Sequence, residues 1–184
     1  MSAIDAARKW EVRAHLANLV KDGDAVFNLP GEECLFERTL LHHNKKTITI
    51  GVEKNKDIYP TINKLYEDGL GTLCLPMDVF KFLENSSIKF DVIWLDLCSY
   101  FTARKFYDSL RLFRESKARV FGITFFLKRT QDMDEFKDIY GVKNTKELLN
   151  KFIELVNFYT QYKLDKRFDY MSGSSPMVTL IFKK

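Results

Sequence analysis

Cysteine is scarce in this chain, and none of it stands in a spacing that holds a metal or staples a secreted fold. Cys34, Cys74 and Cys98 form an odd set of three among 184 residues. Each lies in an apolar segment, which predicts reduced core thiols and a cytoplasmic compartment. There is no CxxC pair, no Cys-His spacing and no HExxH, and the adjacent His42 and His43 would point in different directions on either a helix or a strand. No metal site is therefore expected. The N-terminus lacks an uninterrupted apolar signal region, and no run approaches the ~18 apolar residues of a membrane span, so a soluble chain without a membrane partner is expected. Without a secretory signal, the sequon Asn85-Ser86-Ser87 carries no weight. Internal repeats, low-complexity runs and linkers are also missing. So is a G-x-G-x-x-G after the first strand, which disfavours a nicotinamide enzyme.

Hydrophobic residues make up 46% of the chain and aromatic ones 14%, enough for one sizeable core and short for two, so 1–184 reads as a single domain. Twenty-nine Lys and Arg against twenty-five Asp and Glu leave a net charge of +4, which permits a nucleic-acid partner without demanding one. Three basic groups are candidates for phosphate contacts: Arg8-Lys9 with Arg13, Arg104-Lys105 with Arg111 and Arg114, and Lys128-Arg129. Charge runs of this kind also serve as solvated helix faces.

Strands and helices alternate along the chain. An amphipathic leading helix runs from Ala3 to Val20 (leader 1–22), with Ile4, Ala7, Trp10, Ala14 and Ala17 at helical spacing. Strands follow at Ala25 to Leu29, Ile48 to Val52, Thr72 to Leu75, Asp91 to Leu95 and Arg119 to Phe126, with helices at Glu32 to Leu41, Asp57 to Tyr66, Val79 to Leu83 and Ala103 to Glu115. The strand from Asp91 is the most hydrophobic and is expected at the sheet centre. Such alternation predicts an α/β fold with a mostly parallel sheet and helices on both faces. After a polar excursion over 128–144, which could form a lid, a long helix from Lys146 to Tyr162 leads to Lys166 to Met171 and Met177 to Phe182. The loop between these last two runs is too short for a crossover, so they must pair antiparallel.

Three apolar runs each lead into an acid: Ile48 to Val52 into Glu53, Gly71 to Met77 into Asp78, and Phe90 to Leu95 into Asp96. At the carboxyl edge of a parallel sheet, where ligands bind, an acid after the second strand can accept both hydroxyls of a ribose. The same acids can instead cap helices or face solvent.

This order of elements, with its closing hairpin, resembles the Rossmann-like fold of class I S-adenosylmethionine-dependent methyltransferases over roughly Ala25 to Lys184. That family's first motif has an acid near the end of the first strand and a Gly-rich loop, and is matched here by Val26-Phe27-Asn28-Leu29-Pro30-Gly31-Glu32-Glu33. Its second is matched by Gly51-Val52-Glu53-Lys54, its third by Pro76-Met77-Asp78-Val79, and its fourth by Asp96-Leu97-Cys98-Ser99-Tyr100. The resemblance implies S-adenosylmethionine as cofactor. Glu53 with Lys54 would serve the ribose, Asp78 the adenine amino group with Met77 and Val79 about the ring, and Asn28, Leu29, Pro30 and Gly31 the floor under methionine. Asp96, placed in both the cofactor and the catalytic set, would orient a nucleophile or accept its proton. Tyr100 or Phe101 would stack an extruded base, or else pack at a helix start.

The first motif departs from the family: Asn28 stands where an acid is usual, one Gly remains, and Glu32 and Glu33 place negative charge at a helix N-terminus. Either this loop binds cofactor in a variant way, or the chain is a catalytically inactive methyltransferase-fold protein that binds nucleic acid or a protein partner. The fourth motif lacks the two prolines of amino-methylating nucleic-acid enzymes, so the acceptor atom stays open, as does the oligomeric state. Cys98 has no neighbouring base in the sequence and reads as a small buried thiol rather than a nucleophile.

Overall fold

The computed structural model describes residues 3–127 and 133–184. Seven strands hydrogen-bond in the order β3-β2-β1-β4-β5-β7-β6. They are β1 (Ala25–Asn28), β2 (Ile48–Val52), β3 (Leu73–Leu75), β4 (Val92–Tyr100), β5 (Val120–Phe126), β6 (Lys163–Ser172) and β7 (Ser175–Lys183), and the helices between them are α1 (Ala3–Leu19), α2 (Leu35–His42), α3 (Tyr59–Glu67), α4 (Val79–Asn85), α5 (Ala103–Glu115), α6 (Met133–Tyr140) and α7 (Thr145–Tyr159). The pairs β1-β2, β1-β4 and β2-β3 are parallel, whereas β6 and β7 run antiparallel. β4, whose first residues the sequence places at the sheet centre, has three strands on either side of it.

The chain forms two compact units, one of Trp10–Asp96 with Lys117–Phe121, the other of Met1–Lys9, Leu97–Ser116 and Gly122–Lys184. In the first, Phe27 of β1 stacks on Phe82 of α4 at 5.3 Å and tilts against Phe90 at 5.2 Å. The Arg119 guanidinium donates to the buried Asp24 carboxylate, which also accepts the Lys21 amide. In the second, Phe101, Phe106, Phe125 and Phe152 are fully buried around one another, with Phe106 also meeting Phe136 of α6. Here α7 begins at a reciprocal cap: Asn144 Oδ1 accepts the Glu147 amide while Glu147 Oε1 accepts from Asn144 Nδ2.

Several boundaries differ from the sequence reading. α2 starts at Leu35, not Glu32, because Cys34 takes a left-handed conformation (φ 47) that no helix accommodates. Glu32 and Glu33 are thus exposed turn residues rather than the first helical turn. β4 runs on to Tyr100, so Asp96 lies within the strand instead of beyond it, and Tyr100 ends a strand rather than starting a helix. One acid does not stop a ladder whose backbone groups still find partners. The final hairpin is tighter than the sequence shows: Ser172 pairs with Ser175, leaving a two-residue turn at Gly173 and Ser174, with φ 62 at Gly173. Within the expected lid, α6 is anchored by the buried Phe136, while 128–132 lie outside the described residues. Trp10, expected on the apolar side of α1, is 55% exposed.

Candidate functional site

The site is built at the end of β1. Val26, Phe27 and Asn28 are buried, and the chain leaves the strand through Leu29, Pro30 and Gly31. Asn28 lies opposite Gly51 of β2 in the parallel register. A Cβ added at Gly51 would sit 2.6 Å from Pro30 Cδ and 2.9 Å from the Asn28 carbonyl oxygen, so the crossover loop rests directly on bare β2 backbone. Gly31 is different: an added Cβ there would meet nothing within 4 Å. The Cys34 amide then closes a turn onto the Gly31 carbonyl at 2.9 Å, and α2 begins.

Beneath this loop lies a cavity of about 280 Å³, bounded by the loop and by Arg13, Asn28, Glu37, Trp94 and Asp96. Phe36 is part of its wall, with its ring packed edge-on against Trp94, another wall residue, at a centroid distance of 4.9 Å. Asn28 Nδ2 donates to Glu37 Oε1 at 2.7 Å, and both side chains are buried. Asn28 Oδ1 and Glu37 Oε2 are buried and have no hydrogen-bond partner among the described residues. An unmade bond at a buried polar group costs about 1–3 kcal/mol, which makes such atoms scarce unless a ligand completes them. Burial pushes the Glu37 carboxyl up, opposed by the Asn28 amide, its own backbone amide and the Arg13 charge.

Glu37 escaped the motif reading, which looks for acids after strands. Its signal is an acid within the buried stripe of α2, beside Phe36 and three residues before Leu40. The thiols nearby are inert. Burial, then the Glu37 charge, raises Cys34 to about 11; burial, then Glu53, Cys34 and Glu37, raises Cys74 to about 12. Both are free, buried thiols as predicted, whereas the side chain of Cys98 lies outside the described set.

The other predicted residues are less convergent. Glu53 follows β2 directly; its Oε1 accepts the Asn55 amide at 2.6 Å, and Lys54 beside it is exposed. Asp78 caps α4, with Oδ1 accepting the amides of Phe80 and Lys81 at 3.0 and 3.2 Å. Met77 before it is exposed and Val79 after it is buried. Of the predicted set, Asn28, Leu29, Pro30, Gly31 and Asp96 share the cavity; Glu53, Lys54, Met77, Asp78 and Val79 do not line it. In the other unit, Tyr100 is 46% exposed with its ring 5.9 Å from Phe126. Phe101 is fully buried among phenylalanines, so of its two readings it takes packing near the start of α5 and not base stacking.

Among the described residues no group of three or more His, Cys, Asp or Glu is placed to hold a metal, and no helix is long and apolar enough to cross a membrane. The Arg104 group is partly neutralised, since Asp108 pairs with Arg104 and Arg111 at 3.5 and 3.4 Å; Lys9 donates to the neutral hydroxyl of Ser172 and keeps its charge. Lys128 and Arg129 fall outside the described residues.

Solved structures share the fold of this chain. The magnesium protoporphyrin IX methyltransferase of Synechocystis, solved with bound S-adenosylhomocysteine, superposes with a TM-score of 0.61 over 98% of this chain and 81% of its own, at 10% identity. The fold is that of the class I methyltransferases. TrmK of M. capricolum, in complex with S-adenosylhomocysteine, matches the same fold with a TM-score of 0.55, 12% identity and coverage of 94% of this chain and 67% of that one. An rRNA methylase of Streptococcus thermophilus matches with a TM-score of 0.56, 11% identity and coverage of 95% and 94%. No family model and no curated protein matches the sequence.

Proposed function

We propose that this chain is an S-adenosylmethionine-dependent methyltransferase whose acceptor is a nucleic acid. The observation that carries the reading is the cavity bounded by the Leu29 to Cys34 loop, by Glu37 of α2 and by Asp96 within β4, next to the end of β1 where a methyltransferase fold takes its cofactor. Its residues suit a ligand bearing both donors and a carboxylate: buried acceptors on Asn28 and Glu37, and the guanidinium of Arg13. S-adenosylmethionine, when bound, supplies an electrophilic methyl carbon on a sulfonium, so the protein's task is alignment. Glu53 accepts the ribose hydroxyls through the oxygen that does not hold Asn55, with Lys54 alongside. Asp78 serves the adenine amino group, Met77 and Val79 flank the ring, and Leu29, Pro30 and Gly31 form the floor beneath the amino-acid portion. Asp96 orients the nucleophile and receives its proton. Tyr100 stacks the target base with its exposed ring. A nucleic-acid acceptor draws support from the rRNA methylase among the structural neighbours.

A second reading, a catalytically inactive binding protein, is favoured by the Asp78 carboxylate being engaged as a helix cap. Calorimetric titration with S-adenosylmethionine, S-adenosylhomocysteine and NAD separates them. Binding of the first two alone, lost in Glu53→Ala at an unchanged melting temperature, is the expected outcome. No binding of any of them would overturn the enzyme reading, and unchanged affinity in Glu53→Ala would remove Glu53 from the site.

A further inference from the structure

One buried acid has no role in the motif assignments. Glu37 is 3% exposed and Asn28 1% exposed, yet after their mutual hydrogen bond each keeps a buried oxygen with no partner among the described residues, Oε2 on Glu37 and Oδ1 on Asn28. Both residues line the cavity, and so does Arg13. Two buried acceptors, one of them on a carboxyl group, call for a ligand rich in donors, and a cationic ligand keeps Glu37 ionised despite its burial. A guanidinium at the same cavity calls for an anion. One small group satisfies both demands: the α-ammonium and α-carboxylate of an amino acid.

We propose that Glu37 is the carboxylate that binds the α-ammonium group of an amino-acid-bearing ligand, with Asn28 Oδ1 as the second acceptor and Arg13 pairing with the ligand's carboxylate. β1 ends in an amide where an acid is usual, and the acid stands instead on α2, hydrogen-bonded to that amide. The negative charge has moved by one side chain rather than vanished, so the departure in the first motif is a relocation. This assignment rests on the methyltransferase reading, and its test keeps the two apart.

Wild type, Glu37→Gln and the double variant Asn28→Asp with Glu37→Gln are titrated with S-adenosylhomocysteine and with 5′-methylthioadenosine, the same nucleoside thioether without the amino acid. Glu37→Gln is expected to weaken S-adenosylhomocysteine by about tenfold or more, as loss of one charge-assisted hydrogen bond implies, and to leave 5′-methylthioadenosine unchanged. The double variant, which returns a carboxylate to the end of β1, is expected to recover most of the lost affinity. A purely structural role for Glu37 would not move one ligand alone, nor be rescued from position 28. Equal S-adenosylhomocysteine affinity in wild type and Glu37→Gln, or equal weakening of both ligands, overturns the assignment while the nucleoside site stands. If wild type binds neither ligand, the methyltransferase reading itself falls and this one with it. Should Glu37→Gln not fold, the double variant decides alone: weakened S-adenosylhomocysteine with no preference over 5′-methylthioadenosine overturns the assignment.

Discussion

Gly51→Ala tests the foundation of the site, because it adds one methyl group where β2 supports the crossover loop. The new Cβ would lie 2.6 Å from Pro30 Cδ, 2.9 Å from the Asn28 carbonyl oxygen and 3.0 Å from Pro30 Cγ. Neither neighbour is the free end of a flexible side chain: Pro30 is a ring, and Asn28 is backbone held in register opposite Gly51. Overpacking of this kind costs about 1–3 kcal/mol. Ala offsets roughly 0.5–1 kcal/mol of it, because Gly loses more backbone freedom in a strand. At the middle of both ranges the net loss is about 1 kcal/mol, which for a chain of this size lowers the melting temperature by roughly 2–4 °C. Differential scanning calorimetry of wild type, Gly51→Ala, Pro30→Ala and the double variant measures both the loss and its origin. Pro30→Ala removes two of the three close atoms, so Gly51→Ala should cost less in that background, with the Asn28 oxygen retaining part of the penalty. Gly31→Ala is the control and should lie within about 0.5 kcal/mol of wild type, since its new methyl group meets nothing. A Gly51→Ala protein as stable as wild type, or an equal loss with and without Pro30, would refute the packing of loop on strand.

Two further outcomes follow from buried groups. Phe101→Ala should lose about 3–5 kcal/mol in urea unfolding, as truncation of a core phenylalanine does, since its ring lies 4.1 Å from Phe125 and 5.5 Å from both Phe106 and Phe152. A near-neutral change confined to nucleic-acid binding would return Phe101 to a stacking role. Glu37 should make stability depend on pH in the ligand-free protein. Burial raises its folded pKa above the ordinary 4.5, so the folded state holds the proton more tightly. Its contribution is complete below the unfolded value and is lost as pH rises through the folded one. Urea midpoints across pH 4 to 8 should show wild type falling relative to Glu37→Gln as pH rises; a gap that stays constant would mean that Glu37 titrates normally.

Much of the fold was legible because it depends on local pattern. Short apolar runs alternating with amphipathic segments give β1 to β5 and their helices, and two runs separated by Ser172 to Pro176 could pair only antiparallel. Boundaries were less legible where one residue's conformation overrides composition: the left-handed Cys34 delays α2, and the hydrogen-bond ladder carries β4 past Asp96. Charge near a strand end is a good pointer to the sheet edge but does not report which way a carboxylate turns. Asp78 faces its own helix amides, while Asp96 reaches the cavity.

The sequence by itself determined the class of architecture, the central place of the strand from Val92 and the closing hairpin, since each follows from periodicity and loop length within short windows. Only the tertiary structure decided that Pro30 sits on Gly51 and that Phe101 belongs to the core. It also decided that Glu37 meets Asn28 nine residues away, with an unsatisfied oxygen on each. Those facts depend on which atoms lie within a few ångströms once distant segments have packed, the first crossover against β2 for Pro30 and Glu37 and α5, β5 and α7 around Phe101, rather than on any local run of residues.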